Sequence, residues 1–404
     1  MDKLFFNFEV DLGLDLLKII IDDSLISDNY SNYDKLQDDQ ELYLEPFLIA
    51  HYNLTNLDKY PLDQILYGYF DNQKDAKNIE VISDQKGIIY LPKIGYFLTS
   101  LPNNIFVISM NSKKQFILKD KTSNRIIDFI FEKLIYVGNT SIEILKYNHQ
   151  YIYNKFENDQ NLKKINTNNI STDKIIKYSE VLNEGYELIK SVDKAQYNEI
   201  QKLVKRIMFF DCGYFMNFTS MDFQGNIFIS TYNAAKPLTF IDTLIHETSH
   251  LALNLILMNH QDYFVIDPFE LKFNSPFFKK SIKRGLYHSI HATYVLAKLV
   301  RFYDKLYDSG KLTGIKKYEL LGLFLLDIRL LKEALSYISD QNLYTEKGKA
   351  LFYEMKSIYD TVSNNKKDLI NKYKIPEEHT DHNAAVLPRF FEAEDFLKVN
   401  NLTL

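Results

Sequence analysis

The sequence predicts an α+β fold: a mainly helical C-terminal half carrying the chemistry, preceded by a smaller antiparallel β-rich region. Two textures predict it. Between Asn78 and Tyr147 short runs rich in β-branched and aromatic residues alternate with turn formers, whereas from Ile241 onward apolar residues recur at helical spacing. A third observation is the balance of 46% hydrophobic and 25% charged residues over 404 positions, which is that of a folded chain long enough for two or three domains.

Taken in order, residues 1–75 read as helical pieces with polar breaks and no assignable role. Leu14 to Ile21 is largely apolar, Ser27 to Gln40 is acidic and loop-like, and Leu42 to His51 reads as one short helix. Residues 76–150 form the β-rich region: IEVIS, GIIYLP, IGYFLTS, NIFVISM, KQFILK, DFIFEKLIYV and SIEILKY are separated by turns such as Asp84-Gln85-Lys86-Gly87, and an antiparallel sheet is expected. Residues 151–373 form the mainly helical catalytic region. Within it Asn154 to Thr172 reads as a surface connection, and Asp173 to Phe209 has the spacing of one or two helices. Tyr214 to Ser220 and Gly225 to Ser230 read as strands leading to Pro237, which is tolerated in a first helical turn. Ile241 to Asn259 reads as a helix. A stretch of little regular pattern follows to Lys283, then helices over Arg284 to Asp308, Leu320 to Ile338 and Thr345 to Tyr359, the last with Thr345 as cap and Glu346 in its first turn. Residues 374–404 read as a polar, peripherally packed tail.

Composition excludes several function classes. A net charge of -5 argues against sequence-independent nucleic-acid binding, which needs basic surface. The single cysteine, Cys212, excludes an intramolecular disulfide framework and a cysteine zinc cluster, and suits a reducing cytoplasm. The first residues carry acids through their apolar stretch and read as no secretory signal, and no apolar run is long enough for a membrane span.

The chemistry centres on IDTLIHETSHLALNLILMN. His246 and His250 are four residues apart, so on a helix they stand on one face and can grip one metal ion from adjacent turns, with Glu247 beside it. The rest of the segment is apolar almost all round, as in a helix buried on every side. The plainer alternative is two core histidines held by hydrogen bonds; a metal satisfies both at once.

Two histidines leave a site incomplete, and the third ligand decides the chemistry. Leu253 and Ile256 stand where an extended zinc-protease motif needs glycine and histidine. Glu270 is the nearest downstream carboxylate, in a loop marked by Asp267-Pro268. His288 and His291 lie one turn apart on a helix that could pack antiparallel to the first, and either could ligate. His379 and His382 have metal-like spacing in a polar tail, where exposed histidines are expected.

The run from Ser220 through Gly225, Ser230 and HETSH, then Asn274-Ser275-Pro276, RGLYHSIHATYVLA and LYTEKGKALF, resembles the 2-oxoglutarate-dependent HExxH-type peptide β-hydroxylases. Lys174 to Cys212 is similar as well, so the resemblance covers residues 80–360 and leaves the first 75 unmatched. In that family an arginine lies seven residues before the third metal-binding histidine. Arg284 and His291 have that separation, with Gly285 where proline is usual and His288 where glycine is usual.

The resemblance implies iron(II), molecular oxygen and 2-oxoglutarate as co-substrate, and a ribosomally made precursor peptide as partner, with no nucleic acid or membrane. It implies His246, His250 and His291 as metal ligands and Arg284 as the group that receives the distal carboxylate of 2-oxoglutarate. Ser275 would line the cofactor pocket, and Lys298 and Arg301 are substitutes for Arg284. Glu247 would then tune the metal site. In the alternative, a zinc metallopeptidase, Glu247 would be the general base. A third expectation is a non-catalytic peptide-binding protein that adds a partner strand to the β-rich region.

Overall fold

The structure is a computed structural model that describes residues 5–37, 39–54, 59–71, 78–158, 170–211, 217–231, 236–270, 273–274, 283–375 and 393–403. Antiparallel sheets occupy the N-terminal half and helices the C-terminal half, so the fold is α+β. The chain divides into two compact units, neither of them one continuous stretch. One comprises Met1–Gly13, Val181–Ile200 and Asn233–Leu404; the other comprises Leu14–Glu180 and Gln201–Tyr232. No helix among the described residues is long and apolar enough to cross a membrane.

The second of these units holds the three larger sheets; a two-stranded pair, Phe273–Asn274 with Lys283–Arg284, belongs to the first. Two are three-stranded and antiparallel: Ile105–Met110 lies between Ile79–Ile82 and Phe116–Asp120, and Gly95–Leu98 lies between Ile88–Leu91 and Ile130–Glu132. A further sheet is mixed. At its centre Arg206–Phe210 runs parallel to both Asn226–Ser230 and Glu143–Ile144. Two expectations are corrected here. The helical reading of Asp173 to Phe209 ends early, in helices Thr172–Val192 and Lys194–Leu203, because Arg206–Phe210 is a strand. A short apolar run buried on both faces has no periodicity that separates strand from helix. The single antiparallel sheet becomes several, and DFIFEKLIYV breaks into Ile130–Glu132 and Ile135–Tyr136, which join different sheets.

Leu42 to His51 also divides, into Gln40–Tyr43 and Pro46–Asn53. Pro46 has no amide proton to continue a helix but is at home in a first turn, and the Glu45 carboxylate accepts from the Phe47 amide at 3.0 Å. The same Glu45 grips Arg206 through both oxygens, with Nη2 to Oε2 at 2.7 Å, while Arg206 Nε lies 3.1 Å from Glu143. Arg206 and both glutamates are buried. Removing Arg206 would strand two carboxylates in the interior, a loss of about 3–5 kcal/mol.

The other unit is helical. Leu286–Asp308 packs against Pro237–Ile256, Gly314–Tyr337 and Glu346–Asn365. Pro237 occupies the first turn of its helix, and Thr345 Oγ1 accepts from the Gly348 amide at 3.2 Å. Of the tail, residues 376–392, with His379 and His382, lie outside the described residues. Ala393–Val399 is a helix that buries Phe396 and packs on Gly314–Tyr337, so the tail is less polar and less peripheral than its sequence reads.

Burial also fixes proton states. The Tyr60 amide donates to Tyr151 Oη at 2.9 Å, and the same oxygen lies 3.1 Å from His51 Nδ1. Burial lowers the His51 pKa from 6.5 to about 4. Because the folded value is the lower one, the unfolded chain binds the extra proton. The stabilisation is therefore complete above pH 6.5 and disappears as pH falls towards 4, on the order of 3 kcal/mol at most. Denaturant midpoints measured from pH 7 to pH 4 should fall, and His51→Asn should flatten that dependence.

Candidate metal centre

Pro237–Ile256 presents His246, His250 and Asn254 at four-residue intervals along one face. Leu286–Asp308 crosses that face in the opposite direction, as its contacts show. Tyr287 Oη donates to Asn254 Oδ1 at 3.2 Å, His291 meets His250, and Tyr303 Oη donates to Asp242 Oδ2 at 2.6 Å. Rising numbers on one helix meet falling numbers on the other.

The three imidazoles are in mutual reach. His246 Nε2 and His250 Nε2 are 3.2 Å apart, and His250 Nδ1 and His291 Nδ1 are 3.1 Å apart. Two nitrogens each about 2.0–2.1 Å from one ion lie roughly 3 Å apart, so the first pair already has the spacing of shared ligands. His291 approaches the opposite edge of the His250 ring, with the two rings stacked at 5.4 Å. One ion shared by all three therefore takes rotation of the His250 and His291 rings. His291 has a reason to turn, because its Nε2 is buried and has no hydrogen-bond partner among the described residues. Burial, with His250 and His288 adding to it, holds the His291 pKa well below 6.5, and neutral imidazole is the ligating form. The donor set thus fits a divalent transition metal.

His288 is exposed, whereas His291 is buried and faces the motif. Glu247 is buried, with Oε1 3.8 Å from His246 Nε2, and the donor atoms of His246, Glu247 and His250 all lie within 4.8 Å of one another. His246 and His250 are only partly covered, so this end of the site faces solvent.

Other sequence candidates are distributed differently. Arg284 is half-buried and pairs by backbone with Phe273; burial, with the Arg284 charge adding to it, lowers the His288 pKa. Ser275 lies outside the described residues. Glu270 is exposed and is not among the clustered donors. Lys298 and Arg301 face other partners: Lys298 Nζ pairs with Glu199 at 2.6 Å, both side chains nearly fully buried, and Arg301 lies 3.8 Å from Asp193. Gly285 has a spatial reason. A Cβ there would come within 2.5 Å of the Pro268 carbonyl oxygen, which accepts from the Tyr287 amide.

Sequence reasoning missed Tyr287 and Asn254. The Tyr287 ring lies 4.4 Å from His291 and stacks on Phe269 at 4.8 Å, so it limits how the imidazole can turn. Asn254 was legible from spacing, being one further four-residue step beyond His250. Compared with known proteins, the chain matches no family model and no curated sequence.

Two outcomes follow. His291→Ala should weaken metal binding by more than about 100-fold, since loss of a group that merely supports a ligand already costs 10–100-fold, while His288→Ala should leave it unchanged. Equilibrium dialysis with metal analysis separates them. Lys298→Met leaves Glu199 buried without its cation and should cost about 3–5 kcal/mol, read as a lowered melting temperature.

Proposed function

We propose that the chain is an iron(II)- and 2-oxoglutarate-dependent dioxygenase that hydroxylates the β-carbon of residues in a ribosomally made precursor peptide. The observation that carries this reading is the approach of His291, seven residues after Arg284, to the His246 and His250 pair, with His288 turned to solvent. It agrees with the motif resemblance, and imidazole donors suit iron. Iron(II), with oxygen and 2-oxoglutarate, supplies the oxidant: one oxygen atom enters the peptide C–H bond, the other enters succinate, and carbon dioxide leaves.

The chain's own residues supply binding and shielding. His246, His250 and His291 would hold the metal, and the exposed sides of His246 and His250 leave room for co-substrate. Arg284 would bind the distal carboxylate of 2-oxoglutarate, for which its planar fork is suited. Glu247, buried against the His246 side, would orient a ligand or a bound water. Tyr287 would hold the His291 ring.

A second reading, a zinc metallopeptidase, is favoured by that same Glu247, whose carboxylate, 3.8 Å from His246 Nε2, would act as general base for a metal-bound water. The two readings differ in what they consume. Incubated with iron(II), 2-oxoglutarate and the precursor peptide encoded nearest its gene, the protein should form succinate and add one oxygen atom per turnover, and Arg284→Gln should raise the 2-oxoglutarate KM at least about tenfold. Peptide cleavage that proceeds without 2-oxoglutarate and stops in a metal-retaining Glu247→Gln variant would instead establish the peptidase.

A further inference from the structure

The unit that holds the larger sheets leaves one apolar edge uncovered. Residues 126–132 run along the margin of two antiparallel sheets. Ile126 bridges Lys119, and the Ile127 amide donates to the Leu118 carbonyl at 2.9 Å, so the segment begins beside Phe116–Asp120. It ends as Ile130–Glu132, paired with Gly95–Leu98. Rings anchor its inner side: Phe129 and Phe131 lie 5.2 and 5.1 Å from Phe97, which also meets Phe116 at 5.1 Å.

The other side is open. No strand lies beyond Ile130–Glu132, and apart from the pairing with Gly95–Leu98 the backbone of residues 128–134 makes no backbone hydrogen bond among the described residues. Exposure alternates along residues 126–130, as in a strand with one face to solvent. The side chains on that face are not the polar ones expected there. Ile126 and Ile130, 69% and 66% exposed, are the two most exposed large hydrophobics among the described residues. Unpaired backbone groups beside exposed β-branched side chains are a template for an added strand.

Charge selects the occupant. Arg125 and Lys133 flank the segment, both exposed and neither in an ion pair among the described residues, and exposed Asp128 stands between them. Glu132 is committed to Lys146 and Tyr147. A second copy pairing antiparallel about Phe129, the register that overlaps the whole segment, would set Arg125 opposite Lys133 at both ends, and like charges directly opposite disfavour pairing. A strand with acids at its ends meets both cations instead. We propose that this edge binds an extended peptide of another molecule by strand addition, antiparallel to residues 126–132, with acidic residues facing Arg125 and Lys133 and apolar residues covering Ile126 and Ile130. The inference rests on this unit alone and stands whether or not the chain is an oxygenase.

Fluorescence anisotropy with the full-length protein tests it. The probe is the labelled nonapeptide Glu-Val-Thr-Val-Thr-Lys-Thr-Val-Glu, whose glutamates face Arg125 and Lys133 and whose lysine faces Asp128 in the register centred on Phe129. It should bind, and the peptide with Glu and Lys exchanged should bind at least about fivefold more weakly. N-methylation of alternate residues removes donors from one edge of the peptide strand only, so one alternate set should abolish binding and the other should be tolerated. Arg125→Ser and Lys133→Ser should each weaken the probe about two- to fivefold. The double variant Ile126→Ser, Ile130→Ser should weaken it further with an unchanged circular dichroism spectrum, because both side chains are exposed. No binding, equal binding of the charge-exchanged peptide, equal effects of the two methylated sets, or indifference to the isoleucine variant would overturn the proposal. A concentration-dependent dimer lost in that variant, with no peptide bound, would overturn it in favour of a second copy.

Discussion

The candidate metal centre depends on one antiparallel helix pairing, and that pairing is fixed by hydrogen bonds at both ends. Tyr303 to Asp242 holds one end and Tyr287 to Asn254 the other, with His250 and His291 meeting between them. Both tyrosines span from one helix to the other, so a slip of one turn, about 5.4 Å, would break each bond and separate the histidines. Apolar packing alone fixes such a register weakly, because leucine-rich faces accept more than one alignment. The polar contacts make the alignment specific.

A buried ion pair adds to this. Lys298 lies seven residues after His291, two turns along nearly the same face, and its ammonium meets Glu199. Glu199 also accepts from Gln196 at 2.9 Å, so the carboxylate is multiply bonded. The pair contributes little net stability against an apolar substitute, because desolvating both charges offsets their attraction. Its contribution is orientation: the helix that carries His291 cannot roll without separating two buried charges. A lysine read from sequence as a possible anchor for a co-substrate carboxylate is thereby committed to the fold.

How much was legible follows the range of the interaction. The motif helix, the proline in its first turn and the Thr345 cap are local, and the sequence displays each. His291 was separated from His288 only by analogy; in the structure the two differ in burial, a property of the packed helix and not of either residue. The parallel strand Arg206–Phe210 was hidden because its partners, Glu143–Ile144 and Asn226–Ser230, lie on either side of it in the chain, and an all-apolar strand carries no period. The Lys298 partner stands 99 residues away. No local pattern announces it.

The motif helix itself contains the remaining tension. Leu244, Ile245, Leu251, Leu253 and Leu255 are buried around it, yet the same helix buries Asp242, Glu247 and Thr248. Such groups cost free energy unless each finds a partner. Asp242 has Tyr303, and Glu247 lies beside His246. The histidines divide differently: His246 and His250 are partly exposed, whereas His291 is almost fully covered and its Nε2 has no hydrogen-bond partner among the described residues. A hydrogen-bonded core would have paired that nitrogen, and a purely structural surface would not have brought three imidazoles together. A metal ion held by these imidazoles would meet both conditions, taking the buried nitrogen as a ligand on one side and leaving positions open on the partly exposed side of His246 and His250.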